Sequence, residues 1–321
     1  MTTTHSTRSS SCCLIVTGMH RSGTSLMGSM LVDAGIQFGD QLTDAGHGNP
    51  GGFFEDSVIC RIHEQSLEAN GINSQGFTNC SELTFPLPTR KQAEADSASR
   101  RSSSTHWGWK QPRATLFLDE WATIVPEAKF VLVFRRPWDV VDSLYRRGDH
   151  VFFLRPTFAL KVWETYNAAL LHFATRHKHR SYLVDASQLI TSPADVFKSL
   201  EEWLHVDLKP SFKKLKQEQL SSLAIGPRVE FIRKFEQEAM SVYLRLCELS
   251  GSHPAVEPWT DSIALSNDRI ANDRIANDRI ANDRIANDRI ANDRREVFFR
   301  DWQHSSSEKH NPWHHLQNDA P

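Results

Sequence analysis

The chain has 321 residues, with 37 lysines and arginines against 39 aspartates and glutamates and a formal net charge of −2, so no global positive field would recruit nucleic acid or a membrane surface. Its five cysteines are odd in number and lack C-x-x-C spacing, which argues against a disulfide framework and a structural zinc site. The polar N-terminus lacks a signal-peptide core, and no run approaches the ~18 apolar residues of a membrane span, so we expect a cytoplasmic protein without a transmembrane segment.

The first element is a strand that enters a glycine-containing loop and then a helix, over residues 14–25 (LIVTGMHRSGTS). Gly18 allows a sharp exit from the strand, Gly23 lets the backbone approach an anion, and the first helical amides are donors at the positive end of the helix dipole. The spacing matches G-x-x-x-x-G-K-[ST], but Thr24 replaces the lysine that reaches the β- and γ-phosphates in NTPases, and Arg21 places a cation inside the loop. The stretch predicts an oxyanion site for a donor without a triphosphate. The alternative is a plain strand-turn-helix crossover without a ligand.

The next segment, residues 39–53, is rich in Gly, Asn, Asp and Pro and predicts a loop. Apolar residues then recur at helical spacing, which puts Glu55 and Asp56 in the first turn of a helix, where carboxylates are electrostatically favoured. Residues 70–106 are polar and predict an irregular or partly helical insertion.

Two further strands should end beside the first. Residues 107–110 are short and aromatic and would place Lys110 at the edge of a sheet. Residues 129–134 (KFVLVF) form a continuous apolar run of the kind buried in a parallel sheet. That run leads to Arg135 and to a helix that begins near Pro137 and carries Ser143. An ordinary crossover with solvated arginines is the alternative for this second loop.

The remaining elements alternate between helices and one more strand. The patterns predict a helix over 157–174, a strand over 181–185, a helix over 193–204 capped by Ser192, and a helix over 228–249. Several βα units imply a three-layer α/β/α fold with a central parallel sheet, in which ligands bind at the carboxyl ends of the strands. We therefore expect the loop from Gly18 to Ser25, called the P-loop below, to converge there with Lys110 and Arg135.

A pentapeptide, NDRIA, repeats five times from Asn267. A five-residue period gives neither a helical stripe nor a one-sided strand, which predicts a solvated helix or a disordered tether, with a partner-binding spiral helix as the alternative. We divide the chain into a disordered N-terminus (1–12), a P-loop domain (13–250) and a segment containing the repeat and tail (251–321).

Four motifs together carry a family resemblance: GMHRSGTSLMGSML, FFED, WKQPR and KFVLVFRRPWDVVDSL. Their order and spacing over roughly residues 13–205 resemble those of the P-loop sulfotransferases, which use 3′-phosphoadenosine 5′-phosphosulfate (PAPS) as sulfonate donor. The branch that is most similar includes tyrosylprotein sulfotransferases and bacterial carbohydrate-type sulfotransferases. The resemblance implies a hydroxyl acceptor, belonging to a carbohydrate or glycolipid, and no metal requirement.

The resemblance also implies roles for individual residues. Those that would hold the 5′-phosphosulfate are Arg21, Ser22, Gly23, Thr24 and Ser25, and those that would hold the 3′-phosphate are Arg135 and Ser143. Lys110 would stabilise the bridging oxygen as the sulfonate leaves, and Glu55 would be the general base. Arg21 would act in catalysis as well as in binding. Arg228 is either a further 3′-phosphate ligand or a solvated arginine.

Two other functions remain open from the sequence. A nucleotide kinase or other P-loop NTPase is disfavoured by the missing loop lysine and by the lack of a clear magnesium aspartate. The other is an inactive adaptor whose repeat tail binds a protein partner, which is disfavoured because every proposed chemical position carries a suitable residue.

Overall fold

The structure is a computed structural model. It describes residues 11–43, 52–81, 83–212, 226–254 and 295–305. The chain divides into two compact units, Met1–Ser143 with Leu160–Ser252, and Leu144–Ala159 with His253–Pro321. The NDRIA repeat lies outside the described residues, so the expectations for it and for the domain boundaries stay predictions.

The first unit contains a four-stranded, fully parallel sheet in the order β2-β1-β3-β4. Its strands are β1 (Cys12–Thr17), β2 (His106–Lys110), β3 (Lys129–Phe134) and β4 (Ser181–Asp185). All six residues of β1 are buried, as expected for a strand covered on both faces. The predicted parallel sheet is confirmed.

Helices cover both faces of this sheet. On one face, alternate strand residues such as Leu14 and Val131 pack in a single apolar cluster with residues of the first helix and of the helix after β4. On the other face, the ring of Phe130 lies 4.7 Å from that of Phe173. This is the predicted three-layer α/β/α arrangement.

The helices follow the chain in the order α1 (Thr24–Asp33), α2 (Ser57–Ala69), α3 (Leu87–Ser103), α4 (Leu118–Ile124), α5 (Pro137–Arg147), α6 (His150–Leu154), α7 (Phe158–Arg176), α8 (Gln188–Thr191), α9 (Pro193–Leu204), α10 (Gly226–Phe235) and α11 (Gln237–Ser250). Short 3₁₀ helices span Pro112–Phe117 and Lys178–Arg180. The polar insertion is thus partly helical, because α3 occupies 17 of its residues.

Two helix predictions were wrong in detail. The single helix expected over 228–249 is two helices, because Glu236 leaves helical geometry (φ −112°, ψ 61°) at the start of α11. Ile232 before the break and Tyr243 after it are both fully buried. Ser192 is the N-cap of α9, as predicted, but its side chain makes no capping hydrogen bond.

In the second unit, residues 295–305 form a helix. Phe299 and Trp302 are buried, and the ring of Trp302 lies 5.8 Å from that of Tyr145. The Thr157 hydroxyl donates to Glu296 Oε1 at 2.8 Å. Apolar packing and the hydrogen bond between Thr157 and Glu296 therefore hold this helix to the Leu144–Ala159 segment.

A buried histidine fixes α2 to α4 in the first unit. The Trp121 indole donates to His63 Nε2 at 3.0 Å, and His63 Nδ1 lies 2.8 Å from the Ile59 carbonyl. Because an indole N–H can only donate, Nε2 must accept and Nδ1 must carry the proton. The ring is therefore a neutral imidazole of one tautomer, and burial lowers its pKa to about 3.

This histidine should make the fold sensitive to acid. The unfolded chain protonates His63 near pH 6.5, whereas the folded chain resists protonation down to about pH 3. The unfolded state thus binds more protons in that window, and the free energy of unfolding should fall by up to about 1.4 kcal/mol per pH unit as pH drops below 6.5. Urea unfolding of the wild type and of His63→Gln at pH 7, 6 and 5 measures it. Parallel pH dependences in the two proteins would contradict the assignment.

Candidate active site

The loop between β1 and α1 needs glycine at two positions. Gly18 has φ 151°, and a Cβ added there would lie 2.0 Å from the Val133 carbonyl oxygen of β3. Gly23 has φ 90° and is the N-cap of α1. Gly18 therefore lets the loop backbone lie close to the backbone of β3. Gly23 allows the left-handed conformation that precedes the first turn of α1.

Arg21 and residues that follow β3 lie together beside this loop. Arg135 Nη1 donates to the Arg21 carbonyl at 3.1 Å, and Arg21 Nε donates to Ser143 Oγ at 2.9 Å. Arg135 and Ser143 are buried, and Arg135 Nε lies 3.6 Å from Asp139 Oδ2. The structure thus brings together the two arginines and the serine expected from the two strand-to-helix loops.

The other loop residues line the start of α1. Thr24 and Ser25 are its first two residues, and Thr24 is buried. Ser22 is also buried, and its hydroxyl has no hydrogen-bond partner among the described residues. A buried hydroxyl without a partner is unfavourable unless a ligand supplies one.

Lys110 and Glu55 form an ion pair at the carboxyl end of β2. Lys110 is the last residue of that strand, is 1% exposed, and its Nζ lies 2.5 Å from Glu55 Oε1. An added Cβ at Gly28 of α1 would lie 3.4 Å from the Lys110 stem, so the lysine packs against the helix that begins at the P-loop. The pair therefore lies beside the P-loop helix.

Glu55 does not lie in the first turn of α2, where the sequence placed it. Asp56 is the N-cap of that helix and accepts from the amides of Val58 and Ile59 at 2.9 and 3.3 Å. Glu55 is the residue before the cap, and its carbonyl accepts from Thr43 N at 2.7 Å. The prediction was wrong by one position because Asp56 is a better cap than a helical residue, and this frees Glu55 to reach Lys110.

Three further groups contact the second oxygen of Glu55. Gln111 Nε2 donates to Oε2 at 3.0 Å, Cys60 Sγ lies at 3.5 Å, and Arg113 Nη2 lies at 3.7 Å. Burial alone would raise the pKa of Glu55, but Lys110 and Arg113 lower it below its usual value. Burial lowers the pKa of Lys110, and Glu55 opposes that shift. Glu55 is therefore a partly buried carboxylate that keeps its charge.

The sequence comparisons identify the family. A model described as "Sulfotransferase family" matches residues 14–210, a range that includes the P-loop, Glu55, Lys110, Arg135 and Ser143. The chain belongs to the sulfotransferase family. No curated protein matched the sequence.

Solved structures similar to this sulfotransferase have low sequence identity. The sulfotransferase domain of the Synechococcus PCC 7002 olefin synthase is 17% identical, with 75% of this chain and 94% of that domain covered and a TM-score of 0.43. Sulfotransferase STF9 from Mycobacterium avium is 13% identical, with 76% and 78% covered and a TM-score of 0.42. A sulfotransferase from Alicyclobacillus acidocaldarius is 13% identical, with 76% and 97% covered and a TM-score of 0.42.

Family membership favours sulfonate transfer over the kinase and adaptor alternatives. Within the described ranges, no group of three or more His, Cys, Asp or Glu side chains is arranged to hold a metal ion. Of the helices that the structure describes, none has both the length and the apolar character needed to cross a membrane.

The sequence left Arg228 between two roles, and the structure of the sulfotransferase gives it a defined contact. Its Nη1 lies 3.1 Å from Asp142 Oδ1, and Asp142 is fully buried beside Ser143. Arg228 is therefore paired with a buried carboxylate, and a contact with the 3′-phosphate stays a prediction. Asp185, the last residue of β4, accepts at 2.8 Å from both the amide and the hydroxyl of Ser187.

Gln111, Arg113 and Cys60 were missed as site residues. Gln111 and Arg113 belong to the WKQPR motif that supplied Lys110, and adjacency to a buried lysine was the available signal. Cys60 lies five residues after Glu55, but nothing in the cysteine pattern indicated that its thiol would face a carboxylate.

Proposed function

We propose that this sulfotransferase moves the sulfonate group of PAPS to an acceptor hydroxyl of a carbohydrate or glycolipid. The observation that carries the proposal is the buried Lys110–Glu55 pair beside a P-loop that has threonine, Thr24, in place of the NTPase lysine. A cation for the leaving oxygen and a carboxylate for the acceptor proton are the two groups that sulfonate transfer to a hydroxyl needs.

The P-loop fits the 5′-phosphosulfate. Amides at the start of a helix lack intrahelical acceptors and favour an anion, and the partnerless buried hydroxyl of Ser22 would gain an acceptor. Gly23 admits close backbone approach, and Thr24 and Ser25 add hydroxyl donors at the first turn. Arg21 would supply the positive charge at this end, for binding and for stabilisation of charge during transfer.

Arg135 and Ser143 fit the 3′-phosphate. Both are buried, so a charged contact made there would be weakly screened, and Arg21 bridges them to the P-loop. A donor with two separated anionic groups needs two cationic sites, and this chain provides one after β1 and another after β3.

The bound donor would supply an activated sulfonate on a phosphate leaving group. The acceptor hydroxyl oxygen forms the new bond to sulfur, the bond from sulfur to the bridging oxygen breaks, and the leaving phosphate takes the electron pair. Glu55 accepts the hydroxyl proton, and Lys110 neutralises charge on the bridging oxygen.

The acceptor class and the cellular location are supported by the motifs and by the cysteines. The carbohydrate or glycolipid acceptor rests on the resemblance of the motifs to carbohydrate-type sulfotransferases. A cytoplasmic location is supported by the five cysteines, all of which are free, as expected in a reducing compartment. A protein partner for the repeat tail stays a prediction.

Labelled PAPS tests donor and acceptor together. We expect label transfer to members of a glycan and glycolipid panel and not to phenols or tyrosine peptides. Adenosine 3′,5′-bisphosphate should inhibit by occupying both anion sites, whereas ATP with magnesium should not compete at equal concentration. Inhibition by ATP alone would refute the donor, and transfer confined to tyrosine peptides would refute the acceptor class.

A further inference from the structure

The second oxygen of Glu55 is held by groups other than Lys110. Lys110 contacts Oε1, while Oε2 faces Gln111 Nε2, Cys60 Sγ and Arg113 Nη2 at 3.0, 3.5 and 3.7 Å. Under the proposed function, the Lys110 ammonium must interact with the donor while Glu55 accepts a proton. The contacts of Oε2 then have to keep the carboxylate in place.

Arg113 fixes the orientation of the Gln111 side chain. Gln111 Oε1 accepts from the Arg113 backbone amide at 3.2 Å and from Arg113 Nε at 3.1 Å. A carboxamide has its acceptor at one end and its donors at the other. With Oε1 turned to Arg113, Nε2 must face Glu55, whereas the flipped amide would set an oxygen against the carboxylate and an NH₂ against the arginine.

Arg113 is itself held independently of Lys110. Its Nη1 donates to the Ser74 carbonyl at 2.7 Å and to Glu64 Oε1 at 2.9 Å. Its side chain is 10% exposed, so solvent screens its charge only weakly. The guanidinium therefore keeps its place when Lys110 changes partner.

We propose that Arg113, directly and through Gln111, is a positioning residue that keeps Glu55 ionised and oriented while Lys110 neutralises charge on the donor. The inference rests on the proposed function. At 3.7 Å, Arg113 Nη2 is farther from Glu55 than Lys110 is, so it stabilises the carboxylate charge without a short hydrogen bond. Oε1 is then available to the acceptor hydroxyl.

The charged and titratable groups around Glu55 support this assignment. Lys110 faces it from β2, Arg113 from the 3₁₀ helix, and Cys60 from α2, and Glu64 of α2 reaches it only through Arg113. Burial raises the pKa of Cys60 to about 12, so the thiol stays neutral and can only donate to Glu55. Arg113 is the one cation in this set that the donor does not need.

The pH dependence of single-turnover sulfonate transfer tests the proposal. For Arg113→Met, we expect the acid-side pKa of the rate to rise by about one unit, the size of effect that a nearby opposite charge exerts, with donor KM within about twofold. Glu64→Gln removes another partner of the same arginine and is the matched control. Because the Glu64 side chain is partly exposed, its loss should raise the acid-side pKa of the rate (the acid limb of the pH profile) by less than about 0.3 unit, or lower it. An unmoved limb in Arg113→Met would overturn the proposal.

A second readout does not depend on turnover. Carbon-13 NMR titration of the side-chain carboxyls, with the Glu55 signal assigned by Glu55→Gln, should show a raised Glu55 pKa in Arg113→Met bound to adenosine 3′,5′-bisphosphate. An unchanged pKa contradicts the role of Arg113. If Arg113→Met fails to bind this nucleotide, Gln111→Met replaces it, and an unmoved limb in that variant overturns the proposal.

Turnover and its pH dependence distinguish a failure of the proposed function from a failure of the Arg113 role. If the wild type does not transfer sulfonate from PAPS, or if Glu55→Gln keeps normal turnover, the proposed function fails. If Glu55→Gln is inactive and Arg113→Met keeps the wild-type acid limb, only the role of Arg113 fails.

Discussion

Replacement of Lys110 by methionine should lower kcat by about 100-fold or more, the effect of removing one charge-stabilising donor from a buried site. The lysine is fully buried, and its ammonium is the cation at the carboxyl end of β2. Methionine keeps most of the stem that packs against Gly28 and removes only the charge. Turnover with labelled PAPS gives the rate, and calorimetry with adenosine 3′,5′-bisphosphate shows whether the nucleotide site survives.

The same substitution leaves Glu55 without its nearest cation, so a loss of stability could imitate a loss of catalysis. Breaking a buried pair by removing one partner is destabilising, although Gln111, Cys60 and Arg113 still face this carboxylate. The double variant Lys110→Met/Glu55→Gln removes both charges. We expect it to regain thermal stability relative to Lys110→Met and to stay inactive, because stability and catalysis depend on the pair in different ways.

Lys129 provides a matched control for Lys110. It is the first residue of β3 and lies at the amino ends of the strands, away from Lys110. Its Nζ donates to the Trp203 carbonyl at 2.6 Å and lies 4.7 Å from the Trp203 ring. Lys129→Met should keep kcat within about twofold, because no reacting group lies at the amino edge. Normal turnover in Lys110→Met, or an equal loss in both variants, would contradict the role of Lys110.

The sheet could be predicted from the sequence because its strands are short apolar runs with clear ends. KFVLVF is β3 to the residue, since a strand buried on both faces is a continuous apolar run, and its one charged residue, Lys129, lies at the half-buried start. The break at Glu236 could not be predicted, because neither proline nor glycine marks it and the apolar spacing continues through α11. That break depends on packing that the local sequence does not record.

The arrangement of the candidate site was predictable for residues that follow strand ends meeting at one edge of the sheet, and not for contacts that no strand end determines. The Arg21–Ser143 contact follows from two strand ends meeting at one edge of the sheet. The contacts of Glu55 with Gln111 and of Asp142 with Arg228 join residues 56 and 86 positions apart. Nothing local indicates that such groups face each other, so only the folded chain shows that the proposed base is surrounded by donors.

Arg135→Met should weaken binding of adenosine 3′,5′-bisphosphate by roughly 10- to 100-fold, the cost of one charged hydrogen bond in a desolvated site. Arg135 is buried next to Ser143 and Arg21, at the end assigned to the 3′-phosphate. The fold should survive, because Asp139 keeps its 2.6 Å contact with Arg136. Calorimetric titration of wild type and variant with the bisphosphate measures the change.

Adenosine 5′-monophosphate separates a specific role of Arg135 from a general loss of positive charge. This ligand lacks the 3′-phosphate, so its affinity should be nearly the same in wild type and Arg135→Met, and the wild-type preference for the bisphosphate should largely disappear in the variant. Arg101→Met removes the α3 partner of a half-exposed ion pair with Glu127 and should alter neither affinity. Equal weakening of both nucleotides by Arg135→Met would mean that Arg135 supports the P-loop through the Arg21 carbonyl and does not read the 3′-phosphate. The preference for two phosphates over one therefore decides whether the loops after β1 and β3 act as two anion sites or as one.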